Sequence, residues 1–263
     1  MEFGLAEKTV IVTGAGSNIG RSIAHSFARE GSNLVIADIS EPDGLKVAKE
    51  VSEIGVRSLF IRMDVSKPDE VESMSKKTLD EFGKIDVLVN NVGWDHLGLF
   101  INKPREEWVK EVDLNFWSVI NCTKAVLEPM IEQKSGAIVN ISSDAGRMGE
   151  FQETVYSGCK AGVIAMTKSL AREVGRHGIR LNVVCPGATV GSPDDYGEGS
   201  MWRTDDMAQF LTPEVLEKMA KAYPLRRIGN PEDISNSVVF LASEAASWIT
   251  GQTLSVSGGY TMM

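Results

Sequence analysis

Apolar positions along the 263-residue chain fall into two alternating patterns. Short runs rich in Val and Ile, without polar alternation, occupy residues 8–13 (KTVIVT), 33–38 (NLVIAD), 58–63, 86–89 (DVLV), 137–141 (AIVNI), 180–184 (RLNVV) and 253–256. Between them lie stretches of helical period: 18–30, closed by Gly31, then 44–54, 68–82, 105–133 and 155–175. Strands that are apolar throughout are buried on both faces, so the alternation predicts an α/β fold with a parallel sheet covered by helices on both sides. No linker or composition shift divides the chain, which predicts one domain over residues 1–263.

The rhythm breaks once, at 191–221, between the sixth strand and the last helix. A long irregular insertion just past a strand's C-terminal end, where open α/β sheets bind ligands, predicts a substrate lid. Gly191, Gly197 and Gly199 would hinge it, and Met201, Trp202, Met207 and Phe210 would form its inner surface.

Composition narrows the picture by exclusion. With 43% hydrophobic and 24% charged residues the chain is an ordinary globular sequence. A net charge of −9 without a basic cluster argues against nucleic acid as a partner. Cys122, Cys159 and Cys185 lack metal-type spacing and read as reduced thiols. His25, His96 and His177 are unpaired in sequence, so no metal is expected. The opening MEFGLAEKTVIVTG has no basic region or long apolar run, and no apolar stretch reaches the ~20 residues of a membrane span. The expectation is a cytoplasmic protein with no membrane partner.

Two constellations carry chemistry. Directly after the first strand comes TGAGSNIG, residues 13–20, with Gly14, Gly16 and Gly20. Such a turn brings backbone and a helix N-terminus close to a pyrophosphate. Its spacing is one residue longer than the usual GxGxxG of dinucleotide folds, but the strand–turn–helix context is present. Asp38 ends the second strand, where a carboxylate accepts from adenosine ribose hydroxyls and repels a 2′-phosphate, favouring NAD over NADP. The second constellation is Ser143, Tyr156 and Lys160. Tyr156 and Lys160 are four apart and share one helix face. A free tyrosine has a pKa of about 10 and is a poor base at neutral pH. A lysine ammonium, with a nicotinamide's positive charge nearby, favours the phenolate and lowers that value.

TGAGSNIG, NNVG at 90–93, Asn115, Ser143, YSGCK at 156–160 and CPG at 185–187 occur in order over nearly the whole chain. Together they resemble the short-chain dehydrogenase/reductase family. The resemblance implies a single-domain Rossmann fold with a seven-stranded parallel sheet, and an enzyme interconverting a secondary alcohol and a ketone. It implies that Tyr156 is the acid/base and that Ser143 holds the reacting oxygen. Lys160 would bind the nicotinamide ribose and lower the tyrosine pKa, and Asn115 would anchor a water in a proton relay. It further implies that NAD is held by Gly14, Ser17, Asn18 and Ile19 of the loop, by Asp38, by Asp64 and Val65 against the adenine, and by Asn91 and Gly93. Pro186, Gly187 and Thr189 would face the nicotinamide. Two residues depart from the pattern: Asn18 stands for the commoner glycine and Val92 for the alanine of NNAG. The family is commonly tetrameric. Stretches 105–133 and 155–175 carry more apolar residues than one core-facing stripe needs, so a tetramer is expected, of identical or related subunits.

A narrower resemblance bears on substrate. Gly93-Trp94-Asp95, Ser143-Asp144-Ala145 with Arg147, and SVSGGYTM near the end are similar to 2-hydroxycyclohexanecarboxyl-CoA dehydrogenases. This implies a 3-hydroxyacyl-CoA with a cyclic or aromatic substituent, of the kind met in aromatic degradation. Trp94, Asp95, Asp144 and Met148 are the substrate residues it suggests. Three alternatives stand beside it. One is a dehydrogenase of a free cyclic or aryl secondary alcohol. Another is a 3-oxoacyl-carrier-protein reductase, a group that ordinarily prefers NADP, against which Asp38 counts. The third is a cofactor-binding partner subunit without activity, against which the complete set of four catalytic positions counts.

Overall fold

Seven strands form one parallel sheet in the order β3-β2-β1-β4-β5-β6-β7. They are β1 (Thr9–Thr13), β2 (Asn33–Asp38), β3 (Ser58–Arg62), β4 (Val87–Asn90), β5 (Gly136–Ile141), β6 (Ile179–Pro186) and β7 (Thr253–Val256). The computed structural model describes residues 3–193, 196–197 and 211–263. Strand order reverses between β1 and β4, whose Ile11 and Leu88 are partners across the ladder. The crevice above that reversal, at the strands' C-terminal ends, is where such sheets hold ligands.

Helices cover both faces, as the unbroken apolar strands require. One core joins Val10, Val12, Leu34 and Ile36 to Ile23 and Phe27 of α1 (Asn18–Arg29), Val47 and Val51 of α2 (Glu41–Ile54) and Ile234 and Val238 of α9 (Pro231–Ala242). The other joins Ile11, Val35, Leu88 and Ile138 to Val71 and Met74 of α3 (Pro68–Phe82), Cys122 and Val126 of α5 (Ser118–Gln133) and Ala171 of α7 (Thr154–Val174). Leu88 is fully buried at the middle of the sheet. Leu88→Ala is expected to cost about 3 kcal/mol through lost burial and a residual cavity. Urea unfolding measures it, and a loss below about 1 kcal/mol would show that the sheet centre collapses freely around the gap.

Two elements differ from the sequence expectation. Helix α2 starts at Glu41, before the expected 44, because Ser40 caps it and Pro42 fits its first turn. The expected helix over 105–133 is α4 (Arg105–Val112) and α5 joined by a π-helical turn, Asp113–Trp117. Apolar periodicity runs through such a turn and hides it, yet π-turns concentrate at functional sites, and this one carries Asn115. A short helix, α6 (Ala145–Met148), follows β5, and α8 (Pro213–Ala222) precedes α9. The middle of the expected lid at 191–221, including Met201, Trp202, Met207 and Phe210, lies outside the described residues; its end, from Pro213, is α8. No described helix is long and apolar enough to cross a membrane.

Candidate active site

The turn after β1 is fixed by Asn91, at the end of β4. Its backbone N–H donates to Thr13 Oγ1 at 3.0 Å, and its Nδ2 donates to the carbonyls of Thr13 and Gly14 at 3.0 and 3.1 Å. Gly20, in the first turn of α1, packs so closely that a Cβ would lie 2.0 Å from the Gly14 carbonyl oxygen. Asn18 has φ of 43°, in the left-handed region where Asn ranks next after Gly, which accounts for the replacement noted in the sequence. The N-terminal end of α1 therefore opens onto free space at the strand ends.

Asp38 faces that space. Its Oδ2 accepts from the Gly16 N–H at 2.7 Å and its Oδ1 from the Ser40 N–H at 2.9 Å. A Cβ on Gly16 would lie 2.9 Å from Oδ2, so the glycine lets the loop close on the carboxylate. Burial raises the Asp38 pKa above the ordinary carboxylate value and Asp43 adds to it, against the backbone bonds from Ser40 and Gly16. Each carboxylate oxygen has a second lone pair for a ligand hydroxyl.

A cavity of about 490 Å³ runs from Asp38 past the α1 terminus to the ends of β4, β5 and β6. It is lined by Gly14, Ser17, Asn18, Ile19, Asp64, Val65, Asn91 and Gly93, and by Pro186, Gly187 and Thr189 on the far side. At that end Ser143, Tyr156 and Lys160 converge on it. The Ser143 hydroxyl lies beside Tyr156 and favours its phenolate. Lys160 is 2% exposed, with Nζ 5.5 Å from the Tyr156 ring centre and donating to the Ile141 carbonyl at 3.1 Å.

The expected lowering of the Tyr156 pKa does not come from the protein's own groups. Burial pushes the phenol well above its ordinary value, and the negative charge of Glu153 adds to this, while the Ser143 hydroxyl works the other way. Burial also pulls Lys160 down to about 8, so its hold on the positive charge that would favour a phenolate is weakened.

Asn115 does not open onto the cavity; it is fully buried behind it. Its Nδ2 donates to the Trp94 carbonyl at 2.6 Å and the Glu111 carbonyl at 2.8 Å, and its Oδ1 accepts from the Trp94 N–H at 3.1 Å. With both ends occupied, the side chain clamps the loop after β4 to the π-turn.

Of the four suggested substrate residues, Trp94 and Asp95 line the cavity. Asp144 and Met148 are not brought to it. Asp144 turns under the sheet edge and accepts from Ser255 Oγ at 2.5 Å, and Met148 packs its sulfur against the Thr261 hydroxyl at 3.2 Å. Three charged residues escaped the sequence reading. Lys103 Nζ donates to Glu111 Oε1 at 2.5 Å and to Asp95 Oδ1 at 3.4 Å, all three buried. Burial disfavours the Lys103 ammonium, but the two carboxylates outweigh that and raise its pKa. Glu111 is raised above the ordinary carboxylate value, first by burial and further by the nearby Asp95, against the lowering effect of Lys103. The third, Glu153, lines the cavity one helical turn before Tyr156. No motif marks these residues; the only sequence signal is a charged residue at the boundary of an apolar stretch.

Known proteins share this arrangement. A family model described as Enoyl-(Acyl carrier protein) reductase matches residues 14–261. The 3-oxoacyl-[acyl-carrier-protein] reductase FabG of Staphylococcus epidermidis is 40% identical over 256 residues, covering 97% of this chain and 99% of its own. That of Chlamydia muridarum is 41% identical over 256 residues, covering 97% and 98%. A solved 7α-hydroxysteroid dehydrogenase complexed with NADH and 7-oxo glycochenodeoxycholic acid superposes with a TM-score of 0.88 at 32% identity, over 98% of this chain and 96% of that one. The chain belongs to the short-chain dehydrogenase/reductase family. It is a Rossmann-type oxidoreductase that acts on secondary alcohols and ketones and binds a nicotinamide cofactor. The curated relatives bear the carrier-protein reductase name, the alternative of the sequence reading, rather than that of the cyclic-CoA dehydrogenases suggested by Trp94-Asp95 and Asp144.

Proposed function

We propose that this protein is an NAD(H)-linked enzyme interconverting a 3-oxoacyl thioester and the corresponding 3-hydroxyacyl thioester. The observation that carries the reading is Asp38, a carboxylate held by two backbone N–H groups at the adenosine end of the cavity. The residues present fit the cofactor. Gly16 and Gly20 let the loop close on Asp38 and on the Gly14 carbonyl, the α1 N-terminus supplies N–H groups for a diphosphate, and Asp38 has lone pairs for ribose hydroxyls but repels a 2′-phosphate. Support for the thioester comes from the carrier-protein reductases at about 40% identity over nearly the full chain. Trp94, Leu97, Leu114 and Met219 give the far end of the cavity an apolar lining suited to an acyl chain.

In this reading Ser143 and Tyr156 hold the substrate oxygen between their hydroxyls. Tyr156 donates its proton to the oxygen in reduction and takes it back in oxidation. When bound, the nicotinamide supplies the hydride donor or acceptor, and its positive charge in the oxidised form opposes the upward pressure of burial on the phenol. Lys160 binds the ribose. Asn115 acts as a clamp that keeps Trp94 in place beside the substrate.

An initial-rate screen with NADH across 3-oxoacyl-CoA thioesters and free cyclic or aryl ketones tests the acyl half of the reading. Thioesters are expected to be reduced at least tenfold more efficiently; a preference for the free ketones overturns the thioester assignment. The assembly that goes with this reading is a tetramer. The half-exposed Trp117 at the α5 boundary and the fully exposed Trp248 are apolar surfaces suited to subunit contacts. Light scattering coupled to size exclusion, at micromolar protein, decides between that and a stable monomer.

A further inference from the structure

Glu153 stands at the N-terminal boundary of α7, where a carboxylate ordinarily accepts from the free N–H groups of the first turn. It makes no capping bond, and its carboxyl group has no hydrogen bond or ion pair with any described residue. Instead it lines the cavity beside Ser143 and Tyr156. Glu153 and Tyr156 line the same cavity, three residues apart in the chain, so both face the same ligand. A carboxyl that forgoes its own cap and faces the ligand space has been left for the ligand.

We propose that Glu153 is a specificity-determining residue that donates a hydrogen bond to the second oxygen of a 1,3-dioxygenated substrate: the thioester carbonyl of a 3-oxoacyl group whose ketone sits at Tyr156 and Ser143. This rests on the thioester reading above. The surroundings keep the proton on Glu153. The negative charges that act on it are Asp95 in the loop after β4, Glu150 in the turn before α7 and Glu111 on α4, and its own charge acts in turn on Tyr156 of α7. Lys103 opposes them, but it is already engaged by Asp95 and Glu111. Burial, then Asp95 and Glu150, push the Glu153 carboxyl up to about 7. Below that pH the group is a donor to a carbonyl; above it, a carboxylate that repels one. The same charges disfavour an acyl chain that carries a carboxylate near this point.

The test compares KM for acetoacetyl-CoA with KM for a ketone lacking a second oxygen, from pH 6 to 8.5, at saturating NADH. The second substrate absorbs any titration of Tyr156 and Lys160 that both share. In the unsubstituted enzyme the ratio of the two KM values is expected to rise about tenfold across that range in disfavour of the thioester. In Glu153→Gln, a permanent neutral donor, the ratio becomes independent of pH. In Glu153→Ala, which has no donor, the thioester KM is raised about tenfold at pH 6 while that of the simple ketone moves less than twofold. A pH-independent ratio in the unsubstituted enzyme, or a thioester KM unmoved in Glu153→Ala, overturns this proposal and leaves the thioester reading standing. Reduction of the simple ketone with no turnover of any 3-oxoacyl thioester overturns both.

Discussion

Tyr156→Phe is expected to lower kcat about a thousandfold while leaving the NADH dissociation constant within about twofold of its original value. Only the transferable proton is removed. The ring keeps its place on α7, where the partly buried Tyr156 lies beside Ser143 and Lys160. Stopped-flow or steady-state rates, paired with NADH fluorescence titration, separate the two effects. Near-normal turnover in this variant would mean that Tyr156 is not the proton donor. A parallel collapse of cofactor binding would mean that the hydroxyl is structural.

Lys160→Met is expected to lose activity and gain stability together. The chain buries this amine almost completely, gives it one carbonyl partner, and pulls its pKa from 10.5 down to about 8. A lysine whose folded pKa is depressed destabilises the fold fully below the folded value and progressively less between the folded and unfolded values. At pH 7 the penalty is about 3 kcal/mol, offset in part by the bond to Ile141 that the variant loses. The variant should therefore be about 1–2 kcal/mol more stable at pH 7, an advantage that shrinks as pH rises from 8 towards 10.5. At the same time kcat/KM should fall at least a hundredfold and NADH affinity about tenfold, because a cationic ribose ligand is gone. A variant less stable than the original at pH 7 would show that the Lys160 ammonium is better paired than its single carbonyl bond indicates.

The parts of the site written in local patterns were legible in the sequence. Gly14, Gly16 and Gly20 follow an apolar strand, and Asp38 ends the next one. Parallel pairing of β1 with β2 then brings the Gly16 N–H and the Asp38 carboxylate within 2.7 Å. Tyr156 and Lys160 share a face because they are four apart on α7. Contacts closing over long sequence separations were not legible. Asp144 follows directly on Ser143, yet its carboxylate belongs to Ser255 on β7, 111 residues away. Glu111 reads as one more solvated charge on a helix; it is fully buried only because the loop after β4 folds Asp95 and Lys103 onto it. The π-turn at Asp113–Trp117 was hidden because it preserves the apolar rhythm on either side. A YxxxK pattern carries no information about burial, which acts on both partners against their charged forms, so in the protein without cofactor the Tyr156 phenol stands above its ordinary pKa.

The central claim is that the cavity is built for an NAD(H)-linked reaction, and Asp38 is the residue that decides it. The direct measurement is kcat/KM for NADH and for NADPH, at one salt concentration, with the same 3-oxoacyl-CoA thioester. The structure predicts at least a tenfold preference for NADH, because a 2′-phosphate would meet a carboxylate already held in place by Gly16 and Ser40. In Asp38→Ala the preference should relax towards unity. Equal efficiency with both cofactors in the unsubstituted protein, or a preference for NADPH, would contradict the account.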